Sequence, residues 1–437
     1  MLSTRILTMV GAIFVAVLGF VTSAAPALAA STEKVLYDFC SVSNCTDGEY
    51  PWGLIFDASG NLYGVADGGA YGYGVIFQLT PGAGGTWTEK VLYSFCSGGW
   101  PCNDGAYPVG SLNFDKAGNL YGMTTAGGSY QAACGASDCG TAFELSPSEN
   151  GTWTEAVLHS FNDDGKDGVE PAAGVTSDTA GHLYGTTLYG GAHGGGIVFE
   201  LSPGSNGTWT ETVLHNFCSV RGCADGSALM AGVVFDKKGN LYGTTTGGGN
   251  SNTCGTQGCG VVFELKPGAS GKWKQEVLYN FTSRGGSEAG LILDAAGNLY
   301  GTTPETVFEL KKNDGWAKKV LHTFGRGNDG SVPTGNLIFS AGNLYGTTGN
   351  GGNYHTCLDG SGCGTVFQLT RQSNGTWKET ILHSFTDNGE DGTFPNSGVI
   401  LDTKGNLYGP TAYGGTGPCQ NSVGEVVGCG TVFEITP

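Results

Sequence analysis

One five-residue word constrains this chain more than any other feature in it. Gly-Asn-Leu-Tyr-Gly starts at Gly60, Gly118, Gly239, Gly297, Gly342 and Gly405, and Gly181 opens a seventh copy with His182 in place of Asn. The copies lie 58 or 63 residues apart, except for 45 between the fifth and sixth. A repeat of that length is one supersecondary unit that buries its apolar face against its neighbours. Each copy sits inside a longer pattern. An apolar run such as GLIFD leads through a D-x-x-G turn into NLYG, a Gly-rich loop follows, then GTVFEL, a turn ending in Trp, and TEKVLYSF. Short runs bounded by Gly, Asp and Asn read as strands, four per unit, termed a to d.

Seven four-stranded units predict a seven-bladed all-β propeller. A propeller must close, and the strand count says how. The last unit stops after its strand c, Thr431 to Thr436, while the segment Glu33 to Phe39 has the wording of a strand d with no unit before it. Each blade has four strands only if the N-terminal segment completes the last one. That arrangement also covers edges that would otherwise be open.

Residues upstream of the first strand read as an address. Arg5 precedes an apolar run from Ile6 to Val21, and Ala27 and Ala29 occupy the small-residue positions of a cleavage site. The expectation is a Sec-type signal peptide over 1–29, followed by one propeller domain over 30–437, in a secreted or periplasmic monomer. No further apolar run is long enough to span a membrane, and neither a lipid-anchor cysteine nor a sorting tail is expected. The formal charge of −18 argues against nucleic acid and anionic membranes as partners.

In tandem, GNLYGTT-x-x-GG and G-x-VFEL resemble the GloVer-type repeats of bacterial secreted and surface proteins. The resemblance covers Glu33 to Pro437. It implies export and a propeller-like repeat fold, and it implies no known activity.

In a propeller the b–c and d–a loops share one face, here the top. Three cysteine pairs follow strands d: Cys40 with Cys45, Cys96 with Cys102, and Cys218 with Cys223. Four pairs lie between b and c: Cys134 with Cys139, Cys254 with Cys259, Cys357 with Cys363, and Cys419 with Cys429. All fourteen fall on the top face as seven local pairs. In an exported chain such pairs predict disulfides, and a structural zinc site would need four convergent ligands that pairs on different blades are not expected to supply.

Two sets of aspartates recur. Asp57, Asp115, Asp178, Asp236, Asp294 and Asp402 sit in the a–b hairpin turns and read as turn formers. Asp47, Asp104, Asp167, Asp225, Asp329 and Asp391 precede Gly in the d–a loops. These are also turn residues in one reading, and calcium ligands or acceptors for sugar hydroxyls in another. No cofactor is otherwise expected. His159, His215, His322 and His383 occupy one strand-d slot that holds Tyr37, Tyr93 and Tyr279 elsewhere, which reads as a packing position. His193 and His355 fall outside it. The NGTW turns at Asn150, Asn206 and Asn374 match a glycosylation acceptor, and their repetition in one slot favours a tight turn. No acid–base pair or Ser/His/Asp set stands out on the inner strands.

Tryptophan is the asymmetric residue. Trp87, Trp153, Trp209, Trp273, Trp316 and Trp377 share the slot that opens strand d, whereas Trp52 and Trp100 do not. Both are placed in adjacent d–a loops, with Tyr50, Tyr71, Tyr73, Tyr107 and Tyr130 nearby. Aromatic side chains on rigid loops suit stacking on sugar rings or holding a protein partner; alternatively they fill loop cores. The expected function is recognition of a carbohydrate or a surface partner through Trp52, Tyr71, Tyr73, Trp100, Tyr107 and Tyr130. An extracellular polysaccharide hydrolase or lyase, and a structural envelope protein, are the alternatives.

Overall fold

The structure is a computed structural model that describes residues 31–437, apart from 131–133, 135–138, 252, 284, 285, 288, 326, 327, 354–356, 358, 359, 422 and 423. The expected signal segment and His355 lie outside the described residues.

Seven antiparallel blades surround a central channel. Blade one shows the plan: strands Glu49–Phe56, Leu62–Asp67, Val75–Pro81 and Trp87–Ser94 pair in chain order from the channel outwards. The seventh blade ends Leu407–Thr411, Thr431–Thr436, and its outermost strand is Thr32–Asp38 from the other end of the chain. The register runs from Thr32 opposite Thr436 to Asp38 opposite Thr431. The ring thus closes inside one blade, as the strand count required.

The packing explains the repeated word. Its Leu is buried in every copy, for example Leu62 and Leu241. Its final Gly lies beneath the Phe of strand c. A Cβ on Gly64 would stand 2.5 Å from Phe77 Cζ, and the same contact recurs at 2.4 to 2.8 Å for Gly122, Gly185, Gly243, Gly301, Gly346 and Gly409. Any side chain there would push the Phe out of the core.

That Phe also joins the blades. The Phe following strand d of one blade meets it edge-on in six pairs, Phe39 on Phe77, Phe95 on Phe143, Phe161 on Phe199, Phe281 on Phe308, Phe324 on Phe367 and Phe385 on Phe433, and tilted in the seventh, Phe217 on Phe263. Centroid distances are 4.8–5.7 Å. Burying one such ring contributes about 1.5–3 kcal/mol, and the edge-on pairing adds to it. At the opposite end, the Trp that opens strand d packs on the word's Tyr in the preceding blade, as Trp209 does on Tyr121 at 5.9 Å.

Asp57 shows why the a–b turns need an acid. Its Oδ1 accepts the backbone N–H groups of Ser59 and Asn61, and its Oδ2 accepts Asn61 Nδ2 and Tyr63 Oη. Asp115, Asp178, Asp236, Asp294 and Asp402 repeat this role. The word's Tyr is therefore a donor as well as a core ring.

All seven cysteine pairs are joined as disulfides, each within its own loop. Cys40 bonds Cys45, Cys96 bonds Cys102, Cys134 bonds Cys139, and Cys218 bonds Cys223. Cys254 bonds Cys259, Cys357 bonds Cys363, and Cys419 bonds Cys429. The second cysteine of a pair also anchors the backbone around it. Cys223 O accepts the N–H groups of Gly226 and Gly249, Cys139 O accepts Glu170 N–H, and Cys259 is fully buried between blades four and five. Convergence of two pairs, not expected from their placement on different blades, does occur at the seam: Cys40, Cys45, Cys419 and Cys429 have their sulfur atoms within 4.8 Å of one another. The ring closure brings the first pair and the last to one place, which spacing along the chain does not reveal. Each of these four is bonded within its own pair.

Candidate functional site

The innermost strands form a channel with a cavity of about 480 Å³. Its wall alternates glycines, such as Gly53, Gly110 and Gly174, with apolar side chains such as Leu54, Val109 and Val175. Neighbouring inner strands touch there: a Cβ on Gly110 would meet Gly174 N at 2.1 Å, so a side chain at this point would wedge two blades apart. The polar groups are neutral. Asn336 Oδ1 accepts Gly290 N–H at 2.6 Å, Asn396 Nδ2 donates to Pro51 O at 3.2 Å, and Ser111, Thr176, Thr334 and Ser397 complete the set. No acid, base or cysteine is among the described residues that line the cavity.

Trp52 is in this wall. The sequence reading placed it in a d–a loop, but it belongs to strand Glu49–Phe56, opposite Val65, and is half-buried against the core between blades one and two. Register irregularities on both sides of Trp52 carry the first strand further up than the apolar run suggests.

Above the channel, one position repeats with an unusual backbone. In the D-G-x-X segments the fourth residue has positive φ: Tyr50 (51°), Tyr107 (56°), Glu170 (55°), Ala228 (59°), Val332 (55°) and Phe394 (57°). Non-glycine residues avoid this region, and held strain of this kind gathers at functional rims. The conformation is fixed from the preceding blade. Tyr50 N–H donates to Cys429 O, Tyr107 N–H to Tyr73 O, and Phe394 N–H to Cys363 O, at 2.8 to 2.9 Å.

On blades seven, one and two this rim is aromatic. Phe394 lies 6.0 Å from Tyr413, which meets Tyr50 edge-on at 5.4 Å. Tyr107 meets Tyr73 at 6.0 Å, and Tyr73 lies against Trp100 at 5.8 Å with the planes 33° apart. Trp100 is 45% exposed and Tyr107 41%. Trp100 stands inside the Cys96–Cys102 loop, and Tyr73 packs on that disulfide. Tyr71 and Tyr130 are exposed, and neither has a ring partner among the described residues. Of the six predicted site residues, Tyr73, Trp100 and Tyr107 come together; Trp52 is in the channel wall, and Tyr71 and Tyr130 stand apart.

Two carboxylates lie between the aromatic groups. Glu49 and Asp67 face each other across the first two strands of blade one. Asp67 is close enough to act electrostatically on both Tyr50 and Tyr107. Burial, reinforced by the Glu49 charge, pushes Asp67 up to about 6, and burial raises Glu49. Sequence reasoning missed Glu49, Asp67, Phe394 and Tyr413. The legible signal was the fourth position of D-G-x-X, aromatic at Tyr50, Tyr107 and Phe394 only.

The second aspartate set lies at the blade junctions. Tyr37 and Tyr93 donate to Asp47 and Asp104 at 2.8 Å. His159, His322 and His383 bond Asp167, Asp329 and Asp391 at 2.9 to 3.1 Å. His215 is 3.4 Å from Asp225. The Tyr/His slot read as packing is therefore also a hydrogen-bonding slot. Its ring does pack, as His159 does edge-on against Phe161. The aspartates cap the loop as well: Asp47 Oδ2 accepts Ser41 N–H and Asp104 Oδ2 accepts Cys96 N–H. A glutamate of the next outer strand completes three of these junctions. The sets are His159, Asp167 and Glu211; His322, Asp329 and Glu379; and His383, Asp391 and Glu33, each with its donor atoms within 4.8 Å of one another.

The Gloeobacter/Verrucomicrobia repeat family model matches residues 131–306 and 254–437, together more than half of the chain. No curated protein matches the sequence. Among solved structures, a streptogramin B lyase aligns with a TM-score of 0.51 at 14% identity, over 93% of this chain and 97% of that one. Virginiamycin B lyase from Staphylococcus aureus gives 0.50 at 12%, over 93% and 99%. An ancestral GH74 enzyme gives 0.54 at 12%, over 90% of this chain and 48% of that one. At these identities the likeness is one of fold.

Proposed function

This chain belongs to the Gloeobacter/Verrucomicrobia repeat family, and from that premise we propose that it is an exported propeller that binds carbohydrate on the top of blades seven, one and two. The observation that carries the reading is the rim itself. Phe394, Tyr413 and Tyr50 on one side and Tyr107, Tyr73 and Trp100 on the other flank the Glu49–Asp67 pair. Apolar ring faces complement the C–H faces of a sugar, and carboxylates accept its hydroxyls. Strained backbone and a disulfide hold the rings in place before binding, so little freedom is lost when a ligand arrives. Among the described residues the channel is lined by neutral groups, which directs the reading to the rim. The apolar N-terminal run and seven disulfides support export.

A glycan array with the purified protein tests the proposal. The expected result is selective binding that falls at least about tenfold in Trp100→Ala and Tyr107→Ala, as loss of an aromatic anchor costs at least ~1.4 kcal/mol. Binding unaffected by both changes, or no glycan bound by the folded protein, overturns it.

A further inference from the structure

We propose that five of the seven blade junctions are each held by one proton shared between a glutamic acid and an aspartate, so that the propeller is fastened most firmly in acid surroundings.

The pairs are formed by the third residue of each strand-d motif and the junction aspartate: Glu89 with Asp47, Glu155 with Asp104, Glu211 with Asp167, Glu379 with Asp329, and Glu33 with Asp391. In all five glutamates, Oε1 is buried and has no donor. Asp329 Oδ1 and Asp391 Oδ1 are equally without one. Two ionised carboxylates can only accept and repel, while one proton between them turns two orphan acceptors into a hydrogen bond. Carboxylate oxygens of Glu211 and Asp167, of Glu379 and Asp329, and of Glu33 and Asp391 lie within 4.8 Å of one another.

The remaining two junctions supply an internal control. At the fourth, the glutamate slot holds Gln275, the neutral isostere of a protonated Glu, which donates to the backbone carbonyl oxygen of Asp225 at 3.2 Å. At the fifth, the loop Gly285-Gly286-Ser287 has no aspartate, and the slot holds Lys318, 5.6 Å from the Tyr279 ring centroid. Where the aspartate is missing the slot is not acidic, and where the slot is neutral the aspartate remains. A cation bridge would explain the three histidine-bearing sets. It does not explain Glu89 and Glu155, whose aspartates are bonded by Tyr37 and Tyr93 instead.

The electrostatics agree. Burial first, and the neighbouring aspartate second, push Glu33 and Glu89 up to about 7 and Glu155 up to about 8; the same causes raise Glu211 and Glu379. His383 works the other way on Glu33, as His159 does on Glu211, while Asp164 adds to the rise at Glu211. His322 stands 3.6 Å from Glu379. A folded pKa above the unfolded one means stability that is complete below about 4.5, the ordinary glutamate value, and lost as pH rises through the folded values of about 7 to 8.

Thermal unfolding from pH 5 to pH 9 tests this. Tm is expected to fall by several degrees from pH 5 to pH 8. The charge of −18 also disfavours high pH, so the discriminating result is a difference between variants. Glu89→Gln and Glu155→Gln, at the junctions without histidine, should leave Tm at pH 5 unchanged and raise it at pH 8.5. A Tm profile identical in wild type and both variants overturns the proposal. So does a wild-type Tm at pH 8.5 that drops on adding EDTA, because a cation would then neutralise the pairs. Should the variants fail to fold, carbon-13 NMR titration of glutamate carboxyls in the wild type decides: midpoints well above 4.5 support the shared proton, and midpoints all near 4.5 overturn it.

Discussion

Blade five and blade one are built on the same frame and differ in what they carry. In blade five the strands Leu299–Thr303 and Thr306–Lys311 are joined through Pro304 and Glu305 alone, with Thr303 and Thr306 hydroxyls 2.8 Å apart. It has no cysteine, yet Gly301 still lies under Phe308, Tyr300 still donates to Asp294, and Phe281 still meets Phe308. Blade one keeps every one of those contacts and adds Tyr71, Tyr73 and the strained Tyr50 above them. The frame therefore stands without the top loops. The loop aromatics are additions to it: Tyr50 and Tyr73 pack on the core from above, while Trp100 and Tyr107 stay exposed, as the proposed rim requires.

The sharpest way to break the shared frame is to open it. Removal of Thr32–Asp38 should strip the last blade of its outer strand and abolish the single cooperative unfolding transition, seen by calorimetry; an unaltered transition would show that the seam is dispensable. A smaller effect separates frame from rim. Trp209→Ala should cost about 3 kcal/mol of stability by removing the contact with Tyr121, whereas Trp100→Ala should stay within about 0.5 kcal/mol, both read by denaturant unfolding. Equal losses would make Trp100 part of a loop core. The smallest expected effect concerns the acids. Asp67 is pushed up to about 6 and accepts hydroxyls best when ionised, so glycan affinity should rise by up to about tenfold from pH 5 to pH 7. Asp67→Asn should bind with no such pH dependence in calorimetric titrations.

Much of this molecule is legible in its sequence because the fold is periodic and its key pairings are local. The Gly-Asn-Leu-Tyr-Gly word, the turn aspartates and the short-range cysteine pairs all act within one unit, so counting along the chain is enough. Even the seam between Thr32 and Thr436 follows from counting strands. What escaped was contact between units. Nothing in the wording of strand d names a partner for Glu89, yet its Oε1 is buried and the Asp47 charge acts on it from the blade junction. Tyr413 and Tyr50 are 363 positions apart and meet across the seam, as the Cys40–Cys45 and Cys419–Cys429 disulfides do. Trp52 was displaced from loop to channel by a local register shift that no period encodes.

The seam also has a history in time. Strand Thr32–Asp38 is made before any complete blade, and its partner Thr431–Thr436 after six of them. Throughout that interval the early strand is an edge with nothing to pair with, separated from its partner by nearly the whole propeller. Such a distant contact is slow to find, and an unpaired edge invites the wrong neighbour meanwhile. The outer position of that strand limits the hazard: blades one to six can each complete themselves from contiguous chain, and the waiting strand is needed only when the seventh arrives.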